Sequence, residues 1–256
     1  LKQYEAVEAV AKRIIADGLA QALLLKGSLA RKRSDEYSDV DFYAIVREND
    51  LPAFLERRLD YLNAYMPILY HSEADFVGPQ IVCVYENGLH FDLYTVTREQ
   101  LNSFDRIAVL YDPLHLLDDY QPLPLSLSPE EIGKLVGSLC FSALEFHTAY
   151  MRQDGLFALR LANHIAADLG MYLRTVYDPE FAKIGLKGFG SHLEDAVRKN
   201  YLEILKKLKM ETVLEAVQLM FVLLDSYISN LPIKIAEHLN FDFYFYIKRL
   251  IMGMGK

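Results

Sequence analysis

Asp39-Val40-Asp41-Phe42 is the stretch that most limits what this chain can fold into. On an extended strand, residues i and i+2 share a side. The two carboxylates would therefore point one way, with Val40 and Phe42 pointing the other way into a core. Side-by-side carboxylates repel each other, and an apolar strand has no need of them. A hard divalent cation is the simplest reason to hold them there, since Mg²⁺ takes oxygen ligands from one or two carboxylates plus substrate phosphates. The apolar run continues through Val46, so the acidic pair opens a strand. Upstream, a strand over 22–26 leads into Gly27-Ser28, and a spacer of ten residues separates Ser28 from Asp39.

The first half of the chain alternates between two periods. Val7, Val10, Ala11, Ile14 and Ile15 line one face of a helix over 4–19, and Asn49-Asp50 can cap another running to about Leu62. Two strands, 81–85 and 89–96, flank Glu86-Asn87-Gly88, a hairpin signal. A short strand follows over 107–111. Prolines 122, 124 and 129 then mark an extended linker. Ser128-Pro129-Glu130-Glu131 reads as a helix start, and helical periodicity continues over about 130–153, 156–177, 189–207, 211–230 and 235–251. The expected fold class is α+β. A small mixed β-sheet with helices on one face, residues 1–120, is followed by an all-α up-and-down bundle, residues 128–256.

Composition bounds the partners. Hydrophobic residues make up 52% of the 256, which is enough for full cores, and the formal net charge is -8. An acidic chain without a basic face is not built mainly to grip nucleic acid. Cys83 and Cys140 lie in apolar stretches and read as core residues, with neither a disulfide framework nor zinc spacing. No apolar run reaches the roughly 18 residues of a membrane span. Charged residues among the first twenty argue against a signal peptide. The expected location is the cytoplasm.

Apolar strand, Gly-Ser, a ten-residue spacer and Asp-apolar-Asp together resemble the signature of the DNA polymerase β-like nucleotidyltransferases. The order of a sheet domain followed by a bundle is most like that of the aminoglycoside and lincosamide antibiotic nucleotidyltransferases. The motif likeness covers 21–46 and 89–96; elsewhere it rests on architecture and length. It implies a third carboxylate on a later strand, and Asp92 in Leu89-His90-Phe91-Asp92-Leu93 is the candidate. The resemblance implies that Asp39, Asp41 and Asp92 hold Mg²⁺ in a two-metal site. Gly27, Ser28, Arg31, Lys32 and Ser38 would form the nucleotide-binding set, with Ser38 in a supporting role. The implied reaction moves a nucleoside monophosphate, AMP from ATP or the equivalent from another NTP, onto a hydroxyl of a small acceptor. Either Asp92 or Glu145, on the first bundle helix, would take the acceptor proton, with His147 nearby. Other readings stay open: a protein or RNA acceptor, or an antitoxin-like regulatory nucleotide-binding module.

Several residues carry a plainer reading beside the functional one. Asp92 could be an ordinary hairpin acid, and His90 a solvent-facing histidine. Arg160, Asn163 and His164 read as a buried polar network or a nucleotide contact. Lys183 and Lys187, among Gly185, Gly188 and Gly190, read as a mobile basic loop or a simple connector. The aromatic run 241–246 reads as core packing against the bundle, or as a homodimer interface.

Overall fold

A computed structural model describes residues 1–75 and 78–255. The chain divides into two units, 1–124 and 125–256.

The first unit opens with helix α1, Lys2–Asp17, which buries Gln3, Ala6, Val7, Val10 and Ile14. Gly18 ends it at φ 78°, a left-handed cap that glycine adopts without a Cβ penalty. Then come β1 (Ala20–Leu25), the single turn α2 (Gly27–Ala30), β2 (Val40–Val46), α3 (Leu51–Leu62), β3 (Ile68–Asp75), β4 (Pro79–Tyr85), β5 (His90–Val96) and β6 (Ala108–Tyr111). The six strands are ordered β3-β4-β5-β2-β1-β6. Among the described strands, β2 and β5 pair in parallel and the other neighbours are antiparallel.

One sheet face is apolar. Leu23, Leu25, Phe42, Ala44, Phe91 and Leu93 pack there with Val10, Ile14, Phe54 and Leu62 of α1 and α3. On the other face Ala22, Leu24, Tyr43, Ile45 and Val96 meet Leu101 and Leu117 from the segment after β5. Strand β3 was not foreseen. It is an edge strand whose successive residues Leu69 and Tyr70 are both exposed, so no two-residue alternation marks it.

The second unit is helical: α4 (Pro129–Met151), α5 (Gly155–Tyr177), α6 (Asp195–Lys206), α7 (Val213–Ile228), the short α8 (Ile233–Ala236) and α9 (Phe241–Gly253). Phe146, Ile165, Leu169, Phe221, Leu224 and Ile247 centre its core. Ser128 and Glu131 form a reciprocal capping box on α4. Two expected helices are shorter than their periodicity suggested. The one expected from 189 starts at Asp195, after a 3₁₀ turn over 189–191. The one expected from 235 is broken, because the Asn240 side chain accepts from the Phe243 N–H (3.0 Å) and starts α9 afresh.

The glycine-rich loop is not loose. Arg174, 2% exposed, donates to Gly185 O (2.6 Å), Lys187 O (2.8 Å) and Asp178 Oδ2 (2.8 Å). Lys183 pairs with Glu131. Arg160, Asn163 and His164 are exposed on α5 rather than forming a buried network. The aromatic run divides by helical phase: Tyr244 is buried beside Phe221, while Phe245 and Tyr246 face solvent. Cys83 and Cys140 are buried, free thiols, and burial pushes each up to about 12. Among the described residues, no helix is long and apolar enough to cross a membrane.

Candidate active site

Asp41 and Asp92 lie on the second sheet face, with Asp39 just before β2. Asp41 and Asp92 are direct partners in the parallel β2–β5 register, with Tyr43 opposite Tyr94 one step further on. Paired residues on neighbouring strands point to the same face, and that of Tyr43 is the face away from α1 and α3. The two tyrosine rings stack at 4.3 Å between centroids, directly beside the carboxylates. Asp39 precedes β2 with the same parity, and its charge acts on Asp92.

The Gly-Ser turn meets this face at Asp41. Gly27 has φ 65°, and a Cβ added to it would fall 2.0 Å from Asp41 Oδ2. Only glycine permits both the left-handed backbone and that approach. The preceding Lys26 N–H donates to Asp41 O at 3.0 Å, joining the end of β1 to the start of β2. The Ser28 hydroxyl is buried and without a hydrogen-bond partner among the described residues. A buried unsatisfied hydroxyl costs about 1–3 kcal/mol, and such groups call for an explanation.

Asp92 is 7% exposed. Burial is the largest influence on its carboxyl and raises it above the usual carboxylate range; the charge of Asp39 adds to this, while His90 and a hydrogen bond with Gln80 oppose it. His90 is not simply solvent-facing, since its Nε2 lies 3.0 Å from Asp92 Oδ1. Burial next to Asp41 and Asp92 likewise raises the Tyr43 and Tyr94 hydroxyls.

The spacer between Ser28 and Asp39 is held from α1. Gln3, fully buried, donates through Nε2 to Asp35 O (3.0 Å), Glu36 O (3.3 Å) and Ser38 O (2.8 Å). The Ser38 hydroxyl donates to Asp35 Oδ1 (2.9 Å), so this residue serves the turn that delivers Asp39. Arg31 forms an ion pair with Asp105, both side chains largely buried. Lys32 is exposed, at φ 58°. Glu145 belongs to the helical unit, exposed on α4, where it lines a 290 Å³ cavity with Thr148, Arg152, Asp154 and Phe157.

Three residues of the first unit escaped the sequence reading. Gln3 and Gln80 are polar residues in ordinary-looking positions, recognisable only once their partners are placed. Lys26 did leave a signal: a charged residue ending an apolar strand. It is 6% exposed, and desolvation lowers its ammonium to about 8 against the opposing pull of Asp105 and Asp41.

Among the described residues no group of three His, Cys, Asp or Glu side chains stands ready as a metal cage. Mg²⁺ shared with substrate phosphates requires only one or two carboxylates. Asp39 and Asp41 offer hard oxygen donors of that kind, and Gly27 approaches Asp41 so closely that any side chain there would displace its carboxylate.

No family model matches the chain, and no curated protein does. Among solved structures, the chain is similar to an aminoglycoside 6-adenyltransferase from Bacillus subtilis, with 12% identity, 99% of this chain and 98% of that chain covered, and a TM-score of 0.41. A likeness of that degree decides nothing about the activity of this chain.

Proposed function

We propose that this protein is a Mg²⁺-dependent nucleotidyltransferase that moves a nucleoside monophosphate, AMP from ATP, onto a hydroxyl of a small acceptor such as an aminoglycoside or lincosamide. The observation that carries the reading is the in-register pair Asp41–Asp92, with Asp39 beside it and Gly27 pressed against Asp41. Repulsive carboxylates on adjacent strands, one of them buried, persist where function requires them.

Asp39 and Asp41 would hold the metal, which neutralises phosphate charge when bound. Asp92 would take the acceptor's hydroxyl proton, aided by a carboxyl that burial makes more basic. The acceptor oxygen would then bond to the α-phosphorus as the bond to the bridging oxygen breaks, and pyrophosphate would leave. Ser28 Oγ, without a hydrogen-bond partner among the described residues, would donate to a phosphate oxygen, with Arg31 and Lys32 lending charge.

The test is pyrophosphate release from each NTP with Mg²⁺ across aminoglycosides and lincosamides, beside an Asp39→Asn/Asp41→Asn control. Acceptor-dependent release that the control lacks supports the reading. Nucleotide binding without release would move the acceptor to a protein or RNA. No nucleotide binding would end the catalytic reading.

A further inference from the structure

A lysine immediately before Gly27-Ser28 invites the reading of a phosphate ligand, but its surroundings oppose that. An ammonium has three N–H donors. Lys26 Nζ has three acceptors within the protein: Asn102 O (2.7 Å), Asn102 Oδ1 (2.9 Å) and Phe104 O (3.1 Å). The Tyr43 and Tyr120 rings lie at 5.2 and 5.7 Å, a geometry favourable for cation–π attraction, and the charges of Asp105 and Asp41 also act on it. No donor is left over for a ligand.

All three acceptors belong to the segment that carries Asp105, and Asp105 is the partner of Arg31. The backbone of Asp105 is in the left-handed region, φ 69°, a conformation that a non-glycine residue keeps only when its surroundings enforce it. Tyr120 supplies part of that enforcement, its hydroxyl donating to Asp105 O at 2.8 Å. The Asp105 N–H donates to Leu123 O (3.3 Å), and its own carboxylate accepts from the Arg106 N–H (2.8 Å). A chain of contacts therefore runs from Lys26 through Asn102 and Phe104 to Asp105, and from there to Arg31, one turn beyond Ser28.

We propose that Lys26 is a positioning residue for nucleotide binding: its buried ammonium, with the Tyr120 hydroxyl, fixes the 102–105 segment so that Asp105 orients the Arg31 guanidinium toward the phosphates. This rests on the nucleotidyl-transfer reading. Lys26 itself touches no phosphate, and it transmits its effect only through the Arg31–Asp105 pair.

The test measures Mg²⁺·ATP dissociation constants by calorimetry on the full chain, for Lys26→Met, Tyr120→Phe, Arg31→Ala and the doubles with Arg31→Ala, with unfolding midpoints as the folding check. Lys26→Met is expected to weaken binding by about tenfold or more, the scale of one charge-assisted hydrogen bond, and Tyr120→Phe by about fivefold, the scale of a neutral one. In the Arg31→Ala background the same changes should add less than about twofold, because residues acting through one contact are not additive. Full additivity would mean that Lys26 acts without Arg31 and would overturn the proposal, as would unchanged affinity in both single variants. If Lys26→Met does not fold, the milder Tyr120→Phe cycle decides. Absence of binding by the unaltered chain defeats the nucleotide reading itself and the positioning role with it. Binding that shows no coupling defeats the positioning role alone.

Discussion

The two faces of the six-stranded sheet share every strand and have little else in common. Toward α1 and α3, the residues of β2 and β5 are Phe42, Ala44, Phe91 and Leu93, all fully buried. Toward the other side the same strands present Asp41, Tyr43, Asp92 and Tyr94, with Lys26, just after β1, beside them. The first face follows the rule that cores bury apolar surface, at about 25 cal/mol per Å². The second breaks it with like charges in register, a buried carboxyl shifted upward and a nearby hydroxyl with no partner among the described residues. The first face is packed by apolar residues, and the second combines a buried apolar cluster with like-charged carboxylates held in register.

Neighbouring residues on β2 give the strongest test of that division. Phe42→Ala should cost about 3–5 kcal/mol in denaturant unfolding. Asp41→Asn should leave stability within about 1 kcal/mol, since it relieves repulsion, yet lower pyrophosphate release by about 10²–10³-fold. If Asp41→Asn unfolds the chain as Phe42→Ala does, the two faces are not distinct in kind.

Gly27→Ala tests the junction of turn and face. The new Cβ would enter the space of Asp41 Oδ2 on a backbone at φ 65°, and about 1–3 kcal/mol of destabilisation is expected. Mg²⁺·ATP affinity should fall with it. An alanine variant with unchanged midpoint and affinity would show that Asp41 yields freely.

A smaller effect comes from the helix-covered side. Asp17 accepts from Tyr61 (2.7 Å) and Arg57 (2.8 Å), and the Tyr61 hydroxyl bond is the main cause that lowers its carboxyl. An acid lowered in the folded state contributes stability above its unfolded pKa, near 3.9, and loses it as pH falls through the folded value. Asp17→Asn should therefore cost about 1 kcal/mol at pH 7, and the gap should close as pH falls through the lowered folded value and both forms become neutral. A gap independent of pH would point to packing instead.

Asp92→Asn should change stability least and in the opposite direction. Its carboxyl is raised by burial, so the folded state binds a proton more readily than the unfolded chain, and this group's contribution favours folding as pH falls. The neutral amide should raise the unfolding midpoint at pH 7 while abolishing transfer. A fall in the midpoint would mean that the bonds with His90 and Gln80 outweigh the burial of charge.

Much of this arrangement could be read along the chain. The Asp39-Val40-Asp41-Phe42 pattern fixed the strand and its two faces, and the Gly88 hairpin formed where Asn-Gly placed it, with φ 74° and its N–H bonded to Tyr85 O. The Ser128 capping box was equally plain, since its partners are three residues apart. What escaped reading depends on distant partners. β3 shows no alternation because it lies at an edge. His90 looked solvent-facing until its nitrogen was seen against Asp92. The glycine-rich loop looked mobile because nothing within it announces Arg174, buried on α5 and holding two of its carbonyls.

The sequence by itself determined the type of most elements and the acidic strand, because those depend on periods of 2 and 3.6 and on caps that act within a turn. Tertiary structure alone decided that β2 lies parallel to β5 with Asp41 opposite Asp92. It also decided that Lys26 would spend its charge on a segment 76 positions away. Strand register and the burial of a charge are settled by the free energy of the whole packed unit, in which distant groups replace the water each has lost.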